Sequence, residues 1–129
     1  MDFHKLKEEL TEKVPHSFLA LASAEQEQSD DDPFFVFQMN IEEIFETSIN
    51  FLSSEETLSM EEVNDWKEAD FLVVCQTIDG DFIGGNKEET FVIPQSLYKT
   101  DIEIYPYFLS DFFIAYEDGT IESPTLPPV

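Results

Sequence analysis

The sequence DFLVVCQTIDGDFIGGNKEETFVIP, residues 70–94, decides the fold because it alternates apolar runs with turn signals. The run at 71–77 is long enough for a buried strand and too short for a comfortable helix. The Asp-Gly pair at 79–80 tolerates the positive backbone angles of a tight hairpin. A second turn at 85–86 leads into the last apolar run. The stretch therefore predicts a three-strand meander over about residues 71–93.

Helices are predicted on both sides of this meander, because apolar residues recur there at spacings of three and four. One such stripe follows Asn40, an expected cap, and comprises Ile41, Ile44, Phe45, Ile49 and Leu52. Another helix starts at Ser59, which has capping-box spacing to Glu62. The predicted helices are residues 3–13, which Pro15 should end, 16–28, 41–52, 60–67, and a last one from Tyr105 or Pro106 to about Tyr116.

An aromatic run at residues 34–39, FFVFQM, adds a further predicted strand. The fold class is then α+β, a single domain with an antiparallel or mixed sheet packed by N-terminal, middle and C-terminal helices. The domain should span residues 1–121. Residues 122–129 form a proline-rich C-terminal tail that is expected to be extended and unpacked.

The charge of the chain restricts its partners. Asp and Glu number 29 against six lysines and no arginine, which gives a net charge of −23, whereas 42% hydrophobic and 14% aromatic residues indicate a folded body. Such a charge argues against electrostatic binding to nucleic acid or to an anionic membrane, and a charged partner should be basic. The N-terminus has no apolar signal core and no run reaches the roughly 20 apolar residues of a membrane span. We expect a cytoplasmic protein of undetermined oligomeric state.

No catalytic residue, cofactor or metal site is predicted. Cys75 cannot form an internal disulfide and lies in an apolar run, which favours a core role over a nucleophilic one. His4 and His16 have no neighbouring ligand in the sequence. The chain carries no Gly-rich phosphate loop, nucleophile elbow or HExxH pattern.

The motif DGDFIGG invites comparison with a calcium-binding loop. Asp79, Asp81 and Gly84 match the first, third and sixth positions of such a loop. Ile83 and Thr90, however, stand where an oxygen ligand and the bidentate glutamate belong. A turn explains the motif better.

The candidate binding surface consists of carboxylates that follow Asn40. We call the following eight residues the acidic ridge: Glu42, Glu43, Glu46, Glu55, Glu56, Glu61, Glu62 and Asp65. Asp30, Asp31 and Asp32 form a second acidic patch, for which a solvated charge run is the plainer explanation. Tyr98 and Tyr107 fall among polar residues and are candidate interface aromatics. Solubility alone would also explain the ridge.

The order of these elements resembles the SUKH superfamily, which includes bacterial toxin-immunity proteins and fungal cell-wall synthesis regulators. The segment 41–119 carries the likeness, together with the aromatic strand FFVF before it: an acidic helix IEEIFETSINFL, a strand DFLVVCQT, the turn DGDFIGG, a strand TFVI and a helix FLSDFFIAYEDG. A Gly-Asp pair after an apolar strand is common in the family, and Gly80-Asp81 fits it. The N-terminal third departs from the pattern, since EQEQSDDDP replaces the usual glycine-containing turn.

The resemblance implies an α+β domain that binds and neutralises a cognate toxin, often a nuclease, without a catalytic set of its own. A basic toxin domain is also the kind of partner that the charge predicts. Two other classes of function stay open at this stage. One is a regulatory or scaffold module that binds a basic protein, and the other, with less support, is an acidic enzyme.

Overall fold

Among the residues that the structure describes, five antiparallel strands, hydrogen-bonded to one another in chain order, form one sheet. The computed structural model describes residues 1–29 and 33–128. The elements in chain order are α1 (Phe3–Glu9), α2 (Pro15–Glu27), β1 (Phe35–Phe37), α3 (Ile41–Phe51), α4 (Met60–Glu68), β2 (Leu72–Thr77), β3 (Phe82–Gly85), β4 (Thr90–Ile93), a 3₁₀ turn (Lys99–Asp101), β5 (Glu103–Tyr105) and α5 (Leu109–Glu117).

The predicted meander is confirmed as β2, β3 and β4, the centre of the sheet. The sheet is wholly antiparallel, because β1 pairs with β2 at one edge and β5 pairs with β4 at the other. The register shifts between Val73 and Cys75, where a bulge interrupts the β2–β3 ladder. The α+β class is therefore confirmed, with the sheet extended beyond the meander by one strand on each side.

The DGD motif closes the β2–β3 hairpin. Gly80 has φ of 101°, a conformation that residues with a Cβ rarely adopt. The Asp81 carboxylate accepts a 2.8 Å hydrogen bond from the backbone N–H of Gln95 and lies 3.4 Å from the hydroxyl of Thr77. Both carboxylate oxygens of Asp81 thus have partners within the protein. Such bonding fits a residue that stabilises a turn, whereas a carboxylate that binds a metal ion needs its oxygens free.

One face of the sheet packs against α1, α2 and α5 through aromatic rings. Directly paired residues of antiparallel strands point to the same face, and Phe35 and Phe37 of β1 lie 5.0 and 5.5 Å, centroid to centroid, from Phe113 of α5. The Phe113 ring also stacks on Phe3 of α1 at 4.7 Å and on Phe18 of α2 at 5.8 Å. Phe113 joins three helices to the sheet.

The other face of the sheet carries α3 and α4. Phe45 of α3 lies 5.0 Å from Phe82 of β3, and Trp66 of α4 lies 4.9 Å from Phe91 of β4 and 5.1 Å from Phe71. The domain consequently has three layers: helices, sheet, helices. This arrangement puts most of the acidic ridge on the outer side of the α3–α4 layer.

Two predicted helix boundaries, both near prolines, are wrong. The first helix ends at Glu9 and not near residue 13, and Pro15 occupies the first turn of α2, where a missing N–H costs nothing. The last helix begins at Leu109 and not at residues 105–106. Residues 103–105 pair with β4 as an edge strand, a partner that the local pattern could not reveal.

Three smaller predictions are corrected. Asn40 stands at the N-cap of α3, but no capping bond from its side chain is found in the described part of the chain. Leu52, predicted to face inward, is 38% exposed because α3 stops at Phe51. The C-terminal segment is packed: Leu126 is buried, and the Tyr116 hydroxyl donates to the carbonyl of Pro127.

The predicted cap of α4 is confirmed, because the Ser59 side chain accepts a hydrogen bond from the N–H of Glu62 at 3.2 Å.

Within residues 1–29 and 33–128, no helix has the length and apolarity needed to cross a membrane.

Candidate functional site

The first part of the acidic ridge is the seam between α3 and α4, which one lysine holds together. Lys67 Nζ lies 2.6 Å from Glu42 Oε1 and 2.9 Å from Glu46 Oε1. Glu42 and Glu46 are one helical turn apart, so they share the face of α3 that meets α4. The hydrogen bond to Glu42 raises the pKa of Lys67 above its usual value, although partial burial of the ammonium acts in the opposite direction. These two carboxylates bind the protein's own cation.

The second part of the ridge is the segment between α3 and α4, which lies beside the 3₁₀ turn. The N–H of Leu58 donates to the carbonyl of Leu97 at 2.8 Å, and the N–H of Lys99 donates to the carbonyl of Glu56 at 3.0 Å. Lys99 Nζ also lies 2.6 Å from Glu62 Oε1 on α4. Backbone bonds therefore hold this segment against the 3₁₀ turn, and an ion pair holds the 3₁₀ turn against α4.

The ridge divides into two sets that the sequence does not separate. Glu42, Glu46 and Glu62 are half-buried and paired with lysine. The other five carboxylates are exposed, and within residues 1–29 and 33–128 none has a lysine partner. We call these five the free carboxylates: Glu43, Glu55, Glu56, Glu61 and Asp65. Only the tertiary structure distinguishes the sets, because it decides which carboxylates meet Lys67 or Lys99.

Each of the six lysines has a carboxylate partner within the described part of the chain. Besides Lys67 and Lys99, Lys5 pairs with Glu25 and Lys87 pairs with Asp70. Lys7 and Lys13 share Asp111, at 2.7 and 3.9 Å. The chain has no arginine, so no further lysine or arginine is left to pair with the remaining carboxylates.

Of the two predicted interface tyrosines, Tyr98 lies beside the acidic ridge and Tyr107 lies in the β5–α5 connection. Tyr98 is 43% exposed and forms an isolated bridge with Thr57, next to Glu55 and Glu56, so the fold brings it to the ridge. Tyr107 is 38% exposed in the β5–α5 connection, where its carbonyl accepts from the hydroxyl of Thr90. Asp30, Asp31 and Asp32 lie outside the described residues.

The described residues offer little catalytic or metal chemistry. Cys75 is fully buried, and burial raises the pKa of its thiol well above the usual value, which disfavours the nucleophilic thiolate. Within residues 1–29 and 33–128, no group of three His, Cys, Asp or Glu side chains is placed to hold a metal ion.

An open groove of about 450 Å³ borders the ridge where α3 ends, and sequence reasoning missed it. Phe51, the last residue of α3, lines this groove with its side chain 86% exposed. The pattern IEEIFETSINFL contains a signal for it, because Phe51 lies off the buried stripe of Ile41, Phe45 and Ile49. A large aromatic residue off the core stripe of a helix must face solvent or a partner.

Comparison of the chain with protein-family models, with curated proteins and with solved structures found no match. A functional conclusion has to come from the shape and charge of the surface itself.

Proposed function

We propose that the protein is a non-enzymatic binding protein that neutralises a basic toxin domain, of the nuclease type, in the cytoplasm, as the SUKH-like order of its elements suggests. The observation that carries this proposal is the set of five free carboxylates on α3, α4 and the segment between them in a folded domain. Acidic, disordered tails can also attract cations. A folded surface differs because it presents its charges in a constant arrangement.

The proposed mechanism is occupation of a basic cleft. A nuclease binds a polyanion, and carboxylates held along a ridge match the same positive potential. Long-range attraction would raise the association rate toward about 10⁸ to 10⁹ M⁻¹s⁻¹ at low salt. Bound in this way, the ridge would exclude the nucleic-acid substrate from the cleft.

Preorganisation supports the proposal. Lys67 joins α3 to α4, and Lys99 joins α4 to the 3₁₀ turn, so the free carboxylates lie on elements that are already held together. Less conformational entropy is then lost on binding, which favours affinity. The paired carboxylates would position the surface, and the free ones would contact the partner.

The test is a protection assay with the basic toxin domain encoded next to this gene. In the ridge variant, the five free carboxylates are changed to lysine: Glu43→Lys, Glu55→Lys, Glu56→Lys, Glu61→Lys and Asp65→Lys. Its association rate at low salt should fall by on the order of 10- to 1000-fold, the range attributed to electrostatic steering, and protection of the host cell should be lost. Association of the unchanged protein should weaken steeply as salt is raised.

The matched control reverses five exposed carboxylates away from the ridge: Glu8→Lys, Glu12→Lys, Glu88→Lys, Asp118→Lys and Glu122→Lys. It changes the net charge equally and should keep most of the protection. Equal losses of protection in both variants would mean that only the total charge matters and not its position on the ridge. Salt-independent binding would contradict the proposal. Capture of a basic neighbour without toxicity would indicate the regulatory or scaffold role.

A further inference from the structure

The groove at the end of α3 presents apolar surface although polar residues help to line it. The Thr47 hydroxyl donates to the carbonyl of Glu43 at 2.9 Å, and the Ser48 hydroxyl donates to that of Ile44 at 3.1 Å. The amide of Gln76 donates to the carbonyl of Gly80 at 3.3 Å. These donors are engaged within the protein, so apart from the exposed Gln95 side chain the groove offers a ligand mainly the carbon surfaces of its lining. The residues that matter here are Thr47, Ser48, Phe51, Leu52, Gln76 and Phe82.

Two exposed apolar side chains lie side by side at this groove. Phe51 is 86% exposed and Leu52 is 38% exposed, and they are adjacent in the chain. Burying a large aromatic side chain is favourable, and Phe51 lacks this stabilisation in the free protein. Contiguous exposed apolar surface with a polar rim is typical of interaction sites.

Two exposed carboxylates neighbour residues that line the groove. Glu43, Thr47 and Phe51 follow one another at intervals of four residues, so the free carboxylate of Glu43 lies on the helix stripe that leads into the groove. The exposed Asp79 directly precedes Gly80, which also lines the groove. The last carbonyls of α3 add the negative end of a helix dipole. No lysine partner of Glu43 or Asp79 is found among the described residues.

We infer that the groove at Phe51 binds an aromatic side chain flanked by lysine or arginine on a basic protein partner. The flanking cations complement Glu43 and Asp79, and the aromatic ring covers Phe51 and Leu52. A second copy of this chain fits poorly, because its own surface would bring carboxylates to carboxylates. The inference rests on the proposed function for the nature of the partner.

The groove also provides what the ridge lacks. Charges at the rim of an interface mainly set association rate and specificity, whereas buried aromatic anchors contribute most of the affinity. Apart from Glu43, which lies on the helix stripe that leads to the groove, the free carboxylates and the groove then have separate kinetic roles. Substitutions on the ridge should slow association, whereas substitutions in the groove should speed dissociation.

The test uses a synthetic peptide as the probe, acetyl-Lys-Lys-Gly-Trp-Gly-Lys-Lys-amide, titrated into the ¹⁵N-labelled protein. Amide signals of Thr47, Ser48, Leu52 and Gly80 should shift. A peptide with serine in place of tryptophan should bind about tenfold more weakly. A peptide with glutamate in place of lysine should produce no shifts.

Protein variants locate the contact. Phe51→Ser should weaken binding of the tryptophan peptide about tenfold and leave binding of the serine peptide unchanged. The control is Ile104→Ser, which removes another exposed apolar side chain, 53% exposed, from the edge strand β5. Ile104→Ser should change the affinity for the tryptophan peptide and for the serine peptide by no more than about twofold.

Equal affinity for the tryptophan and serine peptides, or equal effects of the two variants, would overturn the inference. Neither result would bear on the proposed toxin inhibition, which the protection assay tests separately. If the groove binds the peptide and the ridge variant still protects the cell, the proposed function fails and the groove remains a site for basic aromatic segments.

Discussion

Gly84 shows at the scale of one residue why a glycine motif need not be a ligand site. A Cβ atom at this position would lie 2.8 Å from the carbonyl oxygen of Leu72, from Cζ of Phe71 and from Cα of Val73. Two of these atoms belong to the neighbouring strand, which cannot move without breaking the ladder. The glycine is needed for close approach of β3 to β2.

Gly84→Ala should therefore lower the free energy of unfolding by about 1 to 3 kcal/mol, as overpacking of a core typically does. Urea denaturation followed by circular dichroism measures this change. Gly119→Asn is the control, because Gly119 has φ of 75°, which asparagine tolerates, and a Cβ added there would have no heavy atom within 4 Å apart from its chain neighbours. A Gly84→Ala protein as stable as wild type would contradict the close approach.

At the scale of elements, the C-terminal segment is held to the sheet edge by Glu103 of β5. The Glu103 carboxylate accepts hydrogen bonds from the hydroxyls of Ser123 and Tyr105, and from both the N–H and the hydroxyl of Thr125, at 3.2 and 2.6 Å. Burial and the bond to Glu103 raise the pKa of Tyr105 to about 12. One carboxylate on the outermost strand thus organises the segment that follows α5.

Glu103→Ala should release this segment without unfolding the domain, because the helix–sheet core does not depend on it. Limited proteolysis should cut the C-terminal segment at least several-fold faster, with the mass of the remaining fragment read by mass spectrometry. Asp101→Ala, an exposed position in the 3₁₀ turn, is the matched control and should be cut at the wild-type rate. An equally resistant Glu103→Ala protein would show that Leu126 and the Pro127 contact suffice to hold the segment.

At the scale of the whole molecule, charge repulsion opposes folding. Twenty-nine acidic residues face six lysines, so unfavourable pairs outnumber favourable ones. Screening shortens the Debye length from about 30 Å at 0.01 M to about 8 Å at 0.15 M salt. Weakening the repulsion should stabilise the domain more than weakening its ion pairs destabilises it.

Raising NaCl from about 0.01 M to about 0.15 M should therefore raise Tm, measured by scanning calorimetry. In a domain of this size a gain of about 1 kcal/mol corresponds to about 4 °C. A variant with glutamine at the five free carboxylates should show a smaller increase, because fewer charges remain to be screened. A Tm that falls with salt would mean that the lysine pairs outweigh the repulsion.

The sequence by itself determined the central meander, the buried Cys75, the hairpin turn at Gly80 and the cap at Ser59. These depend on residues near one another in the chain, which a local pattern records. It also determined the net charge.

Tertiary structure alone decided the edge strand β5, the packed C-terminal segment and the division of the acidic ridge. Each depends on a partner distant in the sequence: β4 for Ile104, Glu103 for Thr125, and Lys67 or Lys99 for the glutamates. A carboxylate looks the same in a sequence whether or not a lysine lies beside it. The fold determines that distance, and with it which charges remain for a partner.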